Sequence, residues 1–177
     1  MFIFFIILLA IGLSMDTFSL SLSYGMFDIE KKQINRISII VGLFHFIMPL
    51  LGNIIGKSIM NLININNDRV MGIIFLLISI EMIITYFKED KIILLNNFQE
   101  LIVLPFIVSI DSFIAGIGLN TLNTPYLVIS TIFMLTSSFF TYIGLNFGKK
   151  LNEKLGKKSE LLGIIIIISL SIKYIFI

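Results

Sequence analysis

The sequence predicts an all-α integral membrane protein with six transmembrane helices, arranged as two inverted three-helix repeats. Three observations predict this class. The chain is 57% apolar, with a mean hydropathy of +1.03 over 177 residues. It contains six long apolar stretches, and a set of motifs recurs in its second half. Since a soluble core needs less apolar content, the bilayer is the solvent in which the chain is expected to fold.

The six apolar stretches each approach the roughly 20 residues that a helix needs to cross a bilayer core of about 30 Å. They are Phe2–Tyr24, Ile37–Met60, Val70–Phe87, Leu101–Leu119, Tyr126–Phe147 and Leu161–Ile177. The first carries Asp16 and lacks a basic leader, so it is expected to be a retained helix rather than a signal peptide. The last is interrupted by Lys173, whose amine is expected to reach toward the headgroups.

Basic residues are concentrated on one side of this topology. Of the 13 Lys and Arg residues, ten follow the first, third and fifth stretches: Lys31, Lys32, Arg36, Lys88, Lys91, Lys149, Lys150, Lys154, Lys157 and Lys158. The other side holds Lys57, Arg69 and Lys173. The positive-inside rule therefore predicts that the first group is cytoplasmic and that both termini lie outside. The mixture of Lys and Glu residues from Lys149 to Glu160 is interpreted as a solvated cytoplasmic loop.

Charge and cysteine content exclude several classes of function. The net charge of +2 is carried by short segments between apolar stretches, so no nucleic-acid partner is expected. The chain has no cysteine, which excludes disulfide frameworks, thiolate metal sites and thiol relays. No cofactor is implied.

Matching motifs predict an internal repeat with offsets of 95, 92 and 91 residues. The matches are Ser14-Met15-Asp16-Thr17-Phe18 with Ser109-Ile110-Asp111-Ser112-Phe113; Gly52, Gly56 and Lys57 with Gly144, Gly148 and Lys149; and Gly72 with Gly163. They divide a single membrane domain into repeat one (1–87), a cytoplasmic connection (88–97) and repeat two (98–177). Because each repeat has an odd number of spans, the second must cross the membrane in the opposite sense, as in many secondary transporters. The first and fourth helices are then expected to meet near the midplane, each with an aspartate at its centre.

Asp16 and Asp111 lie at the centres of the first and fourth predicted helices. A charged aspartate there costs about 2.5 to 3.5 kcal/mol on insertion scales, so it needs compensation. One interpretation is structural, with protonated aspartates bonded to helix hydroxyls. The other is a site for a hard divalent cation, because such ions prefer carboxylate, hydroxyl and carbonyl oxygens. The second is favoured, since apolar side chains would serve a purely structural role more simply.

Small and polar residues near the aspartates are the candidate supporting groups. The polar ones are Ser14, Thr17, Ser19, Ser23, Ser109 and Ser112, and the packing or kink residues are Gly12, Pro49, Gly52, Gly56, Gly144 and Gly148. Small residues permit close helix approach, although ordinary membrane packing explains each of them equally well on its own.

His45 is the only histidine, and Pro49 follows it by four residues. Proline cannot donate to the carbonyl of His45, so a kink with a free carbonyl oxygen is expected beside the imidazole. An imidazole ligand would favour manganese, iron or zinc over magnesium or calcium. A buried histidine bonded to a helix carbonyl is the alternative. Glu81 has no acidic counterpart, since Ile172 takes its place, and it either lines the cytoplasmic path or pairs with a loop lysine.

These residues resemble those of the MntP family of manganese efflux pumps, within the wider group of lysine-exporter-like transporters. The segments that carry the resemblance are 12–18, 109–113, 42–52 and 156–163, and the likeness extends over nearly the whole chain. It implies a multi-pass pump in the bacterial plasma membrane that exports Mn²⁺, with Asp16 and Asp111 as essential membrane carboxylates and His45 as a further candidate ligand.

The leading hypothesis is therefore secondary export of Mn²⁺ in exchange for protons, with manganese as substrate and no cofactor. The expected partners are Mn²⁺ or a similar divalent cation and the lipid bilayer, with a homo-oligomer as a further option. The alternatives are a sporulation-associated relative without transport, and an exporter of another cation or of an amino acid. An enzyme is not expected, because the chain lacks the Tyr-Asp and Gly-x-Gly-Asp segments of intramembrane aspartyl proteases.

Overall fold

The computed structural model describes residues 2–27, 29–60, 67–87, 100–119, 125–148, 150 and 153–176. Within these ranges the secondary structure is helical, without strands. The helices are α1 (Phe2–Gly25), α2 (Lys31–Met60), α3 (Asn67–Phe87), α4 (Glu100–Ile107), α5 (Ile110–Gly118), α6 (Tyr126–Phe147) and α7 (Glu153–Phe176). The predicted all-helical class is confirmed.

Five of these helices are long and apolar enough to cross a membrane. They are α1, α2, α3, α6 and α7, and they correspond to the first, second, third, fifth and sixth predicted spans. Three of them begin earlier than predicted: α2 at Lys31 instead of Ile37, α3 at Asn67 instead of Val70, and α7 at Glu153 instead of Leu161. The interpretation of residues 149–160 as a loop is therefore wrong for 153–160. Lysine, glutamate and glutamine are good helix formers, so a helix continues past the apolar region into the headgroup layer.

The fourth predicted span is not one continuous helix. Leu101–Leu119 was expected to cross without interruption, but a turn at Val108 and Ser109 separates α4 from α5. Pro105 lies inside α4, where it removes a backbone donor and displaces the carbonyl one turn earlier.

Ser109 closes the interrupted end of α4. Its backbone N–H and its hydroxyl both donate to the carbonyl of Phe106, at 3.3 and 2.9 Å. The chain then restarts as α5, with Asp111 in the first turn. The break therefore lies two residues before one of the two candidate aspartates.

The two halves of the chain interlock. Every extensive helix–helix contact among the described residues joins a helix of residues 2–87 to one of residues 100–176. The helix α1 packs on α6 and α7, α2 packs on α4, α5 and α6, and α3 packs on α5 and α7. Neither half would bury its apolar surface without the other.

Glycines at matched positions make close approaches between helices. A Cβ built on Gly144 would lie 3.0 Å from the Phe18 carbonyl oxygen and 3.1 Å from the Leu22 nitrogen. A Cβ on Gly52 would meet the Phe113 carbonyl oxygen and lie 3.0 Å from the Ile117 nitrogen. Phe113 and Ile117 stand 95 positions after Phe18 and Leu22. Two glycines at equivalent positions of the predicted repeat therefore contact backbone atoms that are also at equivalent positions of the repeat.

The largest apolar core joins α1, α3, α5, α6 and α7. Phe75 and Phe133 are its largest fully buried side chains, and Tyr174 packs edge-on against Phe5 at 4.9 Å between ring centroids. Large apolar side chains such as Leu135 and Phe139 are exposed on the outer surface, where a bilayer would cover them. The core holds α7 between α1 and α3, and this arrangement frames the candidate site.

Candidate cation site

A cavity of about 130 Å³ contains both candidate aspartates. It lies among α1, α3 and the break between α4 and α5. Its lining residues are Asp16, Ile78, Glu81, Ile107, Val108, Ile110, Asp111 and Ile114. Three carboxylate residues thus border one small cavity whose other walls are apolar, although they are distant from one another in sequence.

Asp111 is held at the start of α5. The backbone N–H of Ser112 donates to its Oδ1 at 2.6 Å, and the N-terminus of a helix favours negative charge. Asp16 and Glu81 line the same cavity as Asp111. Three carboxyl groups are therefore close together, and a divalent cation would neutralise their anionic forms.

Asp16 lies within the continuous helix α1, beside the surface on which α7 packs. A Cβ on Gly163 of α7 would lie 2.7 Å from the Gly12 carbonyl oxygen, and one on Gly156 would lie 3.0 Å from Ser19 Oγ. The small residues predicted around Asp16 therefore do permit close helix approach. The hydroxyl of Ser23 donates to the Ser19 carbonyl at 3.3 Å, so it is used within the helix.

The hydroxyl that follows each aspartate is buried without a bond. Thr17 Oγ1 and Ser112 Oγ have no hydrogen-bond partner among the described residues. Buried polar atoms are nearly always satisfied, so an unsatisfied one needs an explanation such as a bound water or ligand. Ser14 is also buried, whereas the hydroxyl of Ser109 is used to close α4.

His45 is buried in α2, with 1% of its surface exposed, but it does not line the cavity. Its Nδ1 lies 2.9 Å from the Val41 carbonyl oxygen, which is the bond expected of a structural histidine. Its Nε2 has no partner within the described part of the chain. Pro49 contacts Gly116 of α5, and Phe44, the neighbour of His45, packs against Phe106 of α4. His45 therefore lies on the helix that packs against the broken fourth span.

The structure thus brings Asp16 and Asp111 together and leaves His45 outside their cavity. Among the described residues, no group of three or more His, Asp or Glu side chains is close enough to hold one metal ion. In this conformation the carboxylates line a cavity, but they are not close enough to one another to surround a metal ion.

Two acidic residues outside the predicted set of ligands lie near the site: Glu81, for which a place along the cytoplasmic path was one of two expectations, and Glu160, which was missed. Glu81 lines the cavity, and Thr85 Oγ1 donates to its Oε1 at 3.3 Å. Glu160 was interpreted as part of a solvated loop, but it lies in α7 with only 4% of its surface exposed. Gly156 and Gly163 flank it on one face and contact α1 on either side of Asp16, so Glu160 is level with that aspartate. The glycines four residues before and three residues after Glu160 were the sequence signal that this face of the helix is buried.

These features define the class of protein as a multi-pass helical membrane protein with ionisable residues within its spans, which is typical of transporters. A family model described as "Mntp: Putative manganese efflux pump" matches residues 28–175. The chain belongs to this family, and the predicted resemblance is confirmed.

Three relatives illustrate the similarity, and each is named "Putative manganese efflux pump MntP". The protein of Bacillus licheniformis is 36% identical over 168 residues, which cover 94% of this chain and 90% of the relative. That of Oceanobacillus iheyensis is 37% identical over 164 residues, covering 89% and 87%. That of Methanobrevibacter smithii is 34% identical over 172 residues, covering 95% and 94%. No solved structure matches the chain.

Proposed function

We propose that the protein exports Mn²⁺ from the cytoplasm as a secondary transporter, through a site built on Asp16 and Asp111. The observation that carries the proposal is that these two residues, 95 positions apart, line one cavity. Carboxylate and hydroxyl oxygens suit Mn²⁺, and the relatives are named as manganese efflux pumps.

The size of the cavity favours an ion over an amino acid. Its volume of about 130 Å³ is well below the roughly 300–1,000 Å³ of sites for small molecules. Apart from the three carboxylates, its walls are the side chains of aliphatic residues. A dehydrated or partly hydrated cation fits such a space, and its positive charge is opposite to that of the carboxylates in the walls.

The proposed framework is a pair of inverted three-helix repeats. Two observations support it: matched glycines approach matched backbone atoms, and the extensive contacts join one half of the chain to the other. Related halves that pack on each other can exchange conformations, so one cavity opens to each side in turn. In this scheme α1 corresponds to α4 and α5 together.

Exchange with protons is the coupling that we propose. A carboxylate inside a membrane is costly unless a cation or a proton neutralises it. Asp16 and Asp111 would therefore bind Mn²⁺ in one half of the cycle and protons in the other. Thr17 and Ser112 are proposed to help through their buried hydroxyls. His45 enters the proposal only through Nε2, which would have to move to reach the cation, because His45 does not line the cavity.

A transport assay in cells tests the proposal. An efflux-deficient bacterial strain would express the wild type, Asp16→Asn, Asp111→Asn or the control Glu30→Gln, which removes an exposed carboxylate outside the spans. Removing one partner of a buried charged group costs about 3 kcal/mol or more, so each asparagine variant should lose Mn²⁺ protection. The wild type and Glu30→Gln should protect at equal membrane abundance. Equal protection by all four would contradict the proposal.

A further inference from the structure

We propose that the protein binds one anionic phospholipid in a groove on its membrane-facing surface, with an acyl chain lying among α1, α2 and α6 and the headgroup at the start of α2. The groove has a volume of about 760 Å³, and its described lining residues are all different from those of the aspartate cavity. Its walls include Ile7, Ile11, Asn35, Ile39, Leu135 and Phe139. The inference goes beyond the proposed transport of Mn²⁺ and does not depend on it.

The groove faces the bilayer and suits a hydrocarbon chain. Ile39, Leu135 and Phe139 are exposed on helices long and apolar enough to cross a membrane. The hydroxyls of Ser38 and Thr136, which also line the groove, donate to backbone carbonyls of their own helices at 2.8 and 2.7 Å. Because water is excluded from the bilayer core and atoms that face a void lose dispersion contacts, an acyl chain would fill this groove.

One end of the groove lies beside the start of α2. A Cβ on Gly42 of α2 would lie 3.0 Å from Ser138 Cβ of α6. Further along α2, the side chain of Asn53 is hydrogen-bonded to Tyr126, at the start of α6. The two helices therefore run antiparallel, so the start of α2 lies beside the end of α6. Asn35 is the lining residue nearest that start, which the basic segments predict to be cytoplasmic.

The basic residues at this end suit an anionic headgroup. Lys31 and Lys32 precede Asn35 by four and three residues, so they lie on the same face of α2, one turn nearer its start. Both are exposed, as is Arg36, and helical side chains point toward the N-terminus of their helix. Glu30 precedes the helix, five residues from Asn35, and is therefore off this face. The amines extend past the apolar groove to the level of the headgroups.

The length of the groove matches one leaflet. The residues of α6 that line it run from Leu135 to Tyr142, which is about 10 Å of helix at 1.5 Å per residue. One leaflet contributes about half of a 30 Å hydrocarbon core. A chain that begins at the headgroup level beside Asn35 would therefore lie along α6 within the same leaflet.

Charge favours a lipid over a second copy of the chain in this groove. Two copies in one membrane share its orientation, so a symmetric pair is related by an axis along the membrane normal. Such a pair would bring Lys31 and Lys32 of both copies to the same level, where like charges repel. An anionic lipid instead places opposite charges together.

The test uses the purified protein in an uncharged detergent, with dioleoyl phosphatidylglycerol or dioleoyl phosphatidylcholine as the probe. Native mass spectrometry measures the affinity for one lipid, and thermal unfolding measures the stabilisation that binding produces. Ile39→Trp, which fills the groove, should weaken phosphatidylglycerol binding about tenfold or more. Ile54→Trp is the matched control on the same helix, because the two isoleucines are similarly exposed, at 59% and 63%, and Ile54 lies outside the groove.

A second pair of variants tests the headgroup. Replacing Lys31 and Lys32 together by Gln should weaken phosphatidylglycerol binding about thirtyfold and leave phosphatidylcholine binding unchanged. The control replaces Lys157 and Lys158 by Gln, because both are exposed on α7, away from the groove. This control should bind phosphatidylglycerol as the wild type does.

Three results would overturn the proposal. They are equal affinity of the wild type for the two lipids, full phosphatidylglycerol binding by Ile39→Trp, and a lipid-free dimer that Ile39→Trp dissociates, which would make the groove an interface between copies. Should Ile39→Trp not fold, Leu135→Trp fills the groove from α6 and decides the same question. Since no Mn²⁺ enters these measurements, their failure would leave the aspartate site untouched.

Discussion

The two helices that carry the aspartates share a motif but differ in their backbone. Asp16 lies in α1, which is continuous over 24 residues, whereas Asp111 follows a break that divides its span into helices of 8 and 9 residues. With the offset of 95, Ala10 of α1 is at the position of the repeat that Pro105 occupies in α4. Alanine is the best helix former, and proline is the worst.

This difference gives the two carboxylates unequal environments. Around Asp16 the backbone groups form the hydrogen bonds of the continuous helix α1, and the surrounding residues are small. Asp111 receives the backbone N–H of Ser112 at a helix N-terminus, which supports its anionic form. A motif duplicated in sequence therefore does not require a duplicated site.

Exchanging the residues that distinguish the two helices should have the largest effect. Ala10→Pro should destabilise the protein by about 3 kcal/mol or more, because it removes a backbone bond inside a long helix at a buried position. Pro105→Ala should raise stability and lower the Mn²⁺ transport rate about tenfold, since a repaired helix takes Asp111 away from a helix start. Thermal unfolding in detergent and vesicle transport measure the two effects. Equal losses of stability in both variants would contradict the comparison.

The close-approach glycines should show a smaller difference between the halves. Overpacking costs about 1–3 kcal/mol, and Gly52→Ala should lie at the upper end because its Cβ would meet the Phe113 carbonyl oxygen. Gly144→Ala should cost less, since its corresponding backbone contacts are 3.0 and 3.1 Å and its nearest neighbour is the side chain of Ser21. Midpoint temperatures of the two variants, measured in one detergent, test this order. The reverse order would show that α6 packs on α1 at Gly144 more tightly than these contacts indicate.

His45 should have the smallest effect on transport. Because its side chain lies outside the aspartate cavity and bonds Val41, His45→Gln should change KM for Mn²⁺ less than about threefold. Vesicle transport across a series of Mn²⁺ concentrations gives this value, with Ser38→Ala on the same helix as a matched control. An increase of about a hundredfold would instead identify Nε2 as a ligand in the transporting conformation.

The sequence was most informative about length and recurrence. Apolar stretches located five helices because crossing a bilayer requires a minimum apolar length, and recurrence of the aspartate motif anticipated that Asp16 and Asp111 would line a common cavity. Hydropathy marks where a chain enters the bilayer and not where a helix begins, so Lys31–Arg36 was missed as part of α2. The break at Ser109 was missed because α4 and α5 are both apolar. The inverted repeat stays a prediction that the glycine contacts support.

Glu81 and Glu160 illustrate the other limit of prediction. Neither is repeated in the second or first half, so recurrence gave no reason to select them. Their positions depend on how α3 and α7 rotate against α1 and α5, which follows from tertiary packing rather than from local pattern. The glycines around Glu160 indicate that side-chain size on a helix face is a usable signal for such residues.

Direct binding of Mn²⁺ to the purified protein tests the central claim most directly. Electron paramagnetic resonance reports free Mn²⁺, so titration gives the number of ions bound per chain. We predict one bound ion for the wild type and for Glu30→Gln, and loss of that ion in both Asp16→Asn and Asp111→Asn. Wild-type binding by either asparagine variant would show that the two aspartates do not form the cation site together.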